Sequence, residues 1–373
     1  MSEKLKKIEQ SHTINRRIVL DARPVGVPKL SDFHLEEIDL PLATTGQVLL
    51  RTLYLSLDPY MRGRMNEGAS YAPPVALDEV MVGATISQVL ASLHPQFKAG
   101  DIVLSQNGWQ DYAVAAGDSL RLLEPDMAHP TLALGVLGMP GFTAYMGLLE
   151  IGKPLAGETV VVAAASGAVG SAVGQIAKLQ GCRAVGIAGG ASKCHFVFET
   201  LGLNACIDHQ RIDFPELLAA ACPQGVDIYF ESVGGAVFDT VLPLLNPQAR
   251  IPVCGLISHY NDLPAPQDAP YITPKTLLPS LLKVASPALD RVPQLMQTIL
   301  SKRIKMQGFI IFDDYRARFP EFHSQMSTWL DSGQVKYCED IVDGLENAPQ
   351  AFIGLLAGKN FGKLIIRVAN PTP

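Results

Sequence analysis

The chain has 373 residues, 48% of them hydrophobic and 18% charged, with 32 Gly and 27 Pro. This composition excludes a wholly disordered chain and supports a sizeable core, and the length predicts two domains or one large one. The 30 basic and 36 acidic residues are spread along the chain, and their net charge of -6 excludes the basic face or tail of a nucleic-acid binder.

Residues 1–10 are charged and lack the apolar centre of a signal peptide. The most apolar stretch, 160–174, is too short to cross a bilayer. A cytoplasmic protein without a membrane partner is expected. The six cysteines, Cys182, Cys194, Cys206, Cys222, Cys254 and Cys338, include no C-x2-C or C-x4-C pair. They read as reduced residues of the core rather than zinc ligands or a disulfide framework.

Up to about residue 130 the chain reads as strands and turns, with strands at 47–55, 80–90 and 97–104, the last entered through a Gly100-Asp101 turn. The segment 108–112 reads as a packed strand whose aromatics wall a cleft, and His12, His34, His94 and His129 as surface residues of turns and tail. From about 140 the pattern changes. The apolar run 159–165 predicts a strand buried on both faces, followed by a helix carrying Val169, Val173, Ile176 and Ala177 on one side and stopped at Gly181. A strand at 183–188, a helix at 193–201 closed by Gly202, and strands at 226–231 and 250–255 continue the alternation. Such alternation means a parallel sheet with helices on both faces. The segment 359–368 returns to β and is expected to rejoin the first domain, which then comprises 1–137 and 340–373 around a second domain at 138–339. Residues 260–287 are Pro-rich and read as a long loop or lid, and 303–312 as a candidate edge strand.

Between the buried strand and the amphipathic helix stands Ala164-Ala165-Ser166-Gly167-Ala168-Val169-Gly170. It is a dinucleotide fingerprint with Ala165 in place of the first glycine. Gly167 admits a pyrophosphate close to the backbone, Gly170 lets the helix pack on the strand, and the helix N-terminus attracts phosphate. An NAD site would carry a carboxylate at the end of the next strand, about 20 residues on. Here that stretch reads Gly189-Gly190-Ala191-Ser192-Lys193. Without a carboxylate to repel it, a ribose phosphate fits beside a lysine, which favours NADPH over NADH. The end of another strand reads Cys254-Gly255-Leu256-Ile257-Ser258-His259-Tyr260-Asn261, where open sheets bind ligands. Tyr260 there could hydrogen-bond a nicotinamide ribose or a substrate oxygen, although a lone loop tyrosine is more often structural.

This order of a β domain, A-A-x-G-x-V-G and a C-terminal β return resembles the medium-chain dehydrogenase/reductase superfamily. Within it, Leu55-Ser56-Leu57-Asp58-Pro59-Tyr60-Met61-Arg62 is similar to a segment of the zinc-free double-bond reductases. Gly138-Met139-Pro140-Gly141-Phe142-Thr143-Ala144-Tyr145, the 254–261 segment, Gln307-Gly308-Phe309-Ile310 and Lys359-Asn360-Phe361-Gly362-Lys363 match as well. That group holds prostaglandin reductases, plant 2-alkenal reductases and bacterial NADPH-dependent curcumin reductases, the last resembling this chain most. The match runs from about Asn15 to Val368.

The resemblance implies a GroES-like irregular β-barrel domain joined to a Rossmann NADPH-binding domain, and a homodimer built through edge strands. It assigns the pyrophosphate to Gly167, Ala168, Val169 and Gly170, and the ribose phosphate to Gly189, Lys193 and His209, the last standing where many relatives have Tyr. Ser232, in Glu231-Ser232-Val233-Gly234-Gly235, replaces an Asn of relatives at the nicotinamide side. Cys254, Gly255, Leu256, Ile257, Ser258, Phe309, Ile310, Ile311 and Asn360 complete the implied cofactor cleft, while Tyr54, Tyr60, Met139 and Tyr260 face the substrate. No metal is implied, and the first domain holds no Cys to ligate one. The implied reaction reduces the carbon–carbon double bond of an α,β-unsaturated ketone or aldehyde, with Tyr260 or water protonating the enolate. A quinone reductase of the same superfamily and a non-catalytic NADPH-binding sensor remain as alternatives.

Overall fold

A computed structural model describes residues 14–67, 70–124, 129–262 and 291–371. An antiparallel pair, β1 (Ile14–Leu20) and β2 (Phe33–Asp39), opens the chain. The first large sheet takes β3 (Gln47–Ser56), β4 (Thr85–Ser92), β5 (Ile102–Ser105), β6 (Tyr112–Ala116) and β7 (Arg121–Leu122). Strand β3 is its centre: Val48, Leu49, Leu50, Leu53 and Leu55 are all buried, so both faces of the strand are covered.

Three expectations for this region change. The segment expected as a strand from residue 80 enters β4 only at Thr85. Before that, the Met81 N–H donates to Ile18 O and the Trp109 N–H to Met81 O, so the backbone at 81 is spent joining β1 to the 108–112 segment. That segment is not a regular strand, and Trp109 does not wall a cleft. Its indole is fully buried, stacked 5.6 Å from Phe33 and edge-on 5.7 Å from Phe352. His34 lies in strand β2, and the His94 side chain is only 12% exposed because it packs on Phe97.

The second large sheet contains β8 (Thr159–Val162), β9 (Arg183–Ala188), β10 (Ala205–Asp208), β11 (Val226–Phe230), β12 (Leu245–Val253) and β13 (Lys305–Gly308). Every pairing is parallel, in the order β10-β9-β8-β11-β12-β13. The chain winds outward from β8 in one direction and from β11 in the other, which creates a switch point between them. The strand β8 is shorter than the apolar run predicts because Ala164 turns the chain at φ 47. The helix Ala168–Leu179 follows with its apolar side on the sheet. The helix expected at 193–201 forms as Ala191–His195 and a wider π turn at Phe196–Thr200, ended by Gly202 at φ 72.

The chain then returns. Strands β14 (Glu339–Asp343) and β15 (Lys363–Arg367) pair in parallel, and β15 runs antiparallel to β3 with Ile366 opposite Leu55. Strand β15 thus joins the first sheet. Strand β13 forms the outer edge of the parallel sheet, and all four of its residues are exposed. Most of the Pro-rich 260–287 stretch lies outside the described residues.

Candidate active site

In a parallel sheet all carboxyl ends lie along one side. Each of the six strands here delivers residues singled out in the sequence to that side: Gly167–Gly170 after β8, Gly189 and Lys193 after β9, His209 after β10, Ser232 after β11, Cys254–Tyr260 after β12 and Phe309–Ile311 after β13.

The Gly-rich turn is tightly constructed. A side chain on Gly170 would place its Cβ 2.3 Å from Ala164 O, so only Gly lets the helix begin this close to β8. Gly167 is the N-cap residue, no side chain caps the first turn, and Gly167, Ala168 and Val169 remain partly open. The N-terminal N–H groups of a helix so arranged are donors for an anion. Beyond β9, a Cβ on Gly189 would lie 3.0 Å from His209 Nε2, which puts the imidazole beside this turn. The Lys193 ammonium donates to Gly358 O at 2.6 Å, and burial lowers its pKa against the opposing pull of Asp340.

The turns after β11 and β12 lock together. The Glu231 carboxylate accepts from the N–H groups of Val233 at 2.6 Å and Gly234 at 2.9 Å. Ser258 Oγ donates to Val233 O at 2.5 Å, the Ile257 N–H donates to Ser232 O at 3.2 Å, and Ser232 Oγ donates to Ala163 O at 3.5 Å. The Tyr260 hydroxyl lies over Gly255, where an added Cβ would come within 2.9 Å of it. A larger residue at 255 would displace the phenol. Leu256 is exposed, and burial pushes the Cys254 thiol up to about 12. Burial also raises the Tyr260 pKa, partly offset by a backbone hydrogen bond at Leu256.

Asn261, next to Tyr260, accepts from Arg62 Nε at 3.1 Å. Arg62 is fully buried in the short helix Tyr60–Arg64, and its other nitrogens donate to Asn66 Oδ1 at 2.6 Å and Gly26 O at 2.9 Å. Burial lowers its pKa. Sequence reasoning treated Arg62 and Asn261 only as parts of motifs and missed that they meet. Tyr71 was missed too. It lies near both Tyr60 and Tyr260 and adds to the upward shift of each phenol, after burial in both cases.

Tyr60 and Met139 line one cavity of about 270 Å³ with Ser56, Asp58, Arg121 and Phe319. Asp58 is held there by Lys363 of β15, whose ammonium donates to Asp58 Oδ1 at 2.9 Å and Leu57 O at 2.8 Å, and by the Ser56 hydroxyl on Oδ2. The sequence predicts Tyr54 in the same company, yet Tyr54 does not line this cavity. It packs against the cluster of Ile86, Ala133 and Leu134.

Phe309 and Ile311 are buried in the core, the Phe309 ring sitting where a Cβ on Gly147 would be 2.7 Å away. Ile310 between them is half-buried. Asn360 turns its amide onto Gly362 O at 2.8 Å. Its loop still meets the Gly-rich turn, since the Gly362 N–H donates to Ser166 O at 3.1 Å and Gly167 bridges Gly362.

Among the described residues no group of three or more His, Cys, Asp or Glu side chains is placed to hold a metal ion, and no helix is long and apolar enough to cross a membrane. Residues 16–123 match the family described as the N-terminal domain of oxidoreductase, and residues 168–328 match that described as zinc-binding dehydrogenase. The chain is 57% identical over 355 residues to the NADPH-dependent curcumin reductase of Escherichia coli (strain K12), covering 95% of this chain and 97% of that one. It is 36% identical to the 2-alkenal reductase (NADP(+)-dependent) of Nicotiana tabacum, covering 95% and 98%. The crystal structure of CurA from Vibrio vulnificus in complex with NADPH superimposes with a TM-score of 0.86 at 55% identity, covering 95% of this chain and 100% of that one. With this fold and these relatives, the chain belongs to the medium-chain dehydrogenase/reductase superfamily, in its double-bond reductase group.

Proposed function

We propose that the protein is an NADPH-dependent reductase of the carbon–carbon double bond of α,β-unsaturated ketones and aldehydes. The observation that carries this reading is that all six strands of the parallel sheet end on one side, where the Gly-rich turn follows β8 and Tyr260 follows β12. The curcumin and alkenal reductases named above act on such compounds with NADPH or NADP(+), which supports the same class here.

The residues present fit the cofactor. The uncapped helix start at Gly167–Gly170 suits a pyrophosphate, and the Gly170 contact, which lets the helix begin close to β8, supports this reading. The turn at Gly189, with His209 beside it and Lys193 in the short helix that follows, suits a ribose phosphate. Ser232, Cys254–Ser258, Ile310 and the Asn360 loop would line the nicotinamide side. When bound, NADPH supplies hydride to the substrate.

Negative charge then gathers on the substrate oxygen, and a preorganised donor stabilises it. Tyr260 is that donor. Burial keeps its phenol protonated at neutral pH, so it offers a hydrogen bond to the oxygen and a proton to the enolate. Arg62 and Asn261 hold the turn on which the phenol stands. Tyr60 and Met139 wall the substrate space, and their cavity sets what fits. NADPH consumption with a short alkenal, a bulky aryl enone and a quinone tests the reading. Turnover of the enones supports it; turnover of the quinone alone, or tight NADPH binding with no turnover, overturns it.

We further propose two units, 1–137 with 340–373 and 138–339, and a homodimer formed through the exposed edge β13. The six free thiols suit the cytoplasm, where they stay reduced. Sedimentation of a chain carrying Met306→Pro tests the dimer, since Pro at the edge removes a backbone donor; an unchanged dimer would place the interface elsewhere.

A further inference from the structure

The cavity lined by Tyr60 and Met139 also carries two guanidinium groups, Arg121 and Arg316. Arg121 is partly buried, its Nε lies out of solvent with no hydrogen-bond partner among the described residues, and its guanidinium sits 4.9 Å over the Phe319 ring. Arg316 sits 5.3 Å over the Phe312 ring. Stacking through the face of a guanidinium leaves the N–H groups along its edge free for in-plane bonding.

Among the described residues no carboxylate takes that role. Asp58 belongs to Lys363 and Ser56, Glu150 and Glu321 belong to Arg318, and Asp314 accepts the Ile310 N–H at 2.8 Å. The Asp58 charge is balanced within the wall, so the cavity presents an excess of positive charge between aromatic surfaces. A desolvated guanidinium without a partner is unfavourable, and an arriving anion removes that penalty.

We propose that Arg121 and Arg316 form a carboxylate subsite, which selects enones bearing an acidic group remote from the double bond. This inference rests on the double-bond reductase reading above. The aromatic rings Phe312 and Phe319 would contact the body of the substrate while the guanidinium edges take the carboxylate oxygens.

The test compares 4-(3-oxobut-1-enyl)benzoate with its methyl ester, using the enzyme and NADPH. The expected result is a kcat/KM about tenfold higher or more for the acid, the order of a charge-assisted hydrogen bond. The preference should shrink with added salt. Arg316→Gln and Arg121→Gln should each bring the acid-to-ester ratio toward one, with Arg316→Lys retaining part of it. Arg316 is exposed, so its replacement leaves the fold in place. Equal rates for acid and ester in the unaltered enzyme overturn the subsite. So does a ratio unchanged in both glutamine variants, even if both rates fall together. If neither compound is reduced, the double-bond reading fails separately. Calorimetric binding of acid against ester to the NADPH-saturated protein then decides the subsite, and equal affinities overturn it.

Discussion

Arg62 Nε stands 3.1 Å from Asn261 Oδ1, joining residues 199 apart in sequence. One end of this contact is a buried arginine with no carboxylate hydrogen-bonded to it among the described residues, and the other is the neighbour of Tyr260. Arginine at this depth is held by three acceptors at fixed directions, which lysine cannot reproduce. Arg62→Lys should therefore lower kcat at least tenfold while NADPH affinity, measured by fluorescence titration, stays within about twofold. A parallel fall in thermal stability with kcat unchanged would make Arg62 structural only.

Tyr260→Phe should lower kcat about 100-fold with little change in NADPH binding, the range of a lost proton donor. The pH profile gives a second reading. Burial raises this phenol above its ordinary pKa of 10.0, so the active, protonated form persists through pH 10 and is lost only above it. Rates that decline below pH 9 without unfolding would assign the limiting group elsewhere.

Lys193 is the handle for cofactor choice. Lys193→Met should raise the KM for NADPH about 10–100-fold and leave that for NADH nearly unchanged, because only the phosphate is lost as a partner. If the lysine merely ties down the turn at Gly358, both cofactors will respond alike.

Gly170→Ala tests the Gly-rich turn. Its Cβ would meet backbone oxygen at 2.3 Å, which no rotamer relieves. A loss of about 1–3 kcal/mol in denaturant unfolding is expected, with NADPH affinity falling as the helix start moves. An alanine variant of unchanged stability would show that the helix shifts freely.

Lys363 and Asp58 form a buried pair, with side chains 4% and 7% exposed. Removing one partner leaves an uncompensated charge, so Lys363→Met should destabilise by about 3–5 kcal/mol. Lys363→Met with Asp58→Asn should recover part of that loss; no recovery in the double variant would mean the two residues act independently.

The parallel sheet and its Gly-rich turn were legible because buried strands and amphipathic helices repeat at fixed periods. The residues at the strand ends were legible for the same reason, since a strand boundary in a parallel sheet is also a position on one edge. What stayed hidden depends on distant contacts. No local pattern pairs Arg62 with Asn261, or Asp58 with Lys363 across 305 residues. Trp109 misled because an aromatic in a short β segment reads alike in a core and in a cleft. Only the neighbours Phe33 and Phe352, far off in the chain, distinguish the two. Tyr54 and Tyr60 look equivalent in sequence; one packs against the cluster of Ile86, Ala133 and Leu134 and the other lines the cavity.

The β15 return has a consequence for biosynthesis. Its residues complete the first sheet beside β3, neutralise Asp58 and touch the Gly-rich turn through Gly362. On the ribosome, β3 and Asp58 emerge some 300 residues before Lys363 does. Throughout that interval the nascent chain carries an open sheet flank and an unmatched acid. Chaperone demand should therefore be set by the wait for this one strand, and a ribosome stalled just short of it would leave a chain without a finished cleft.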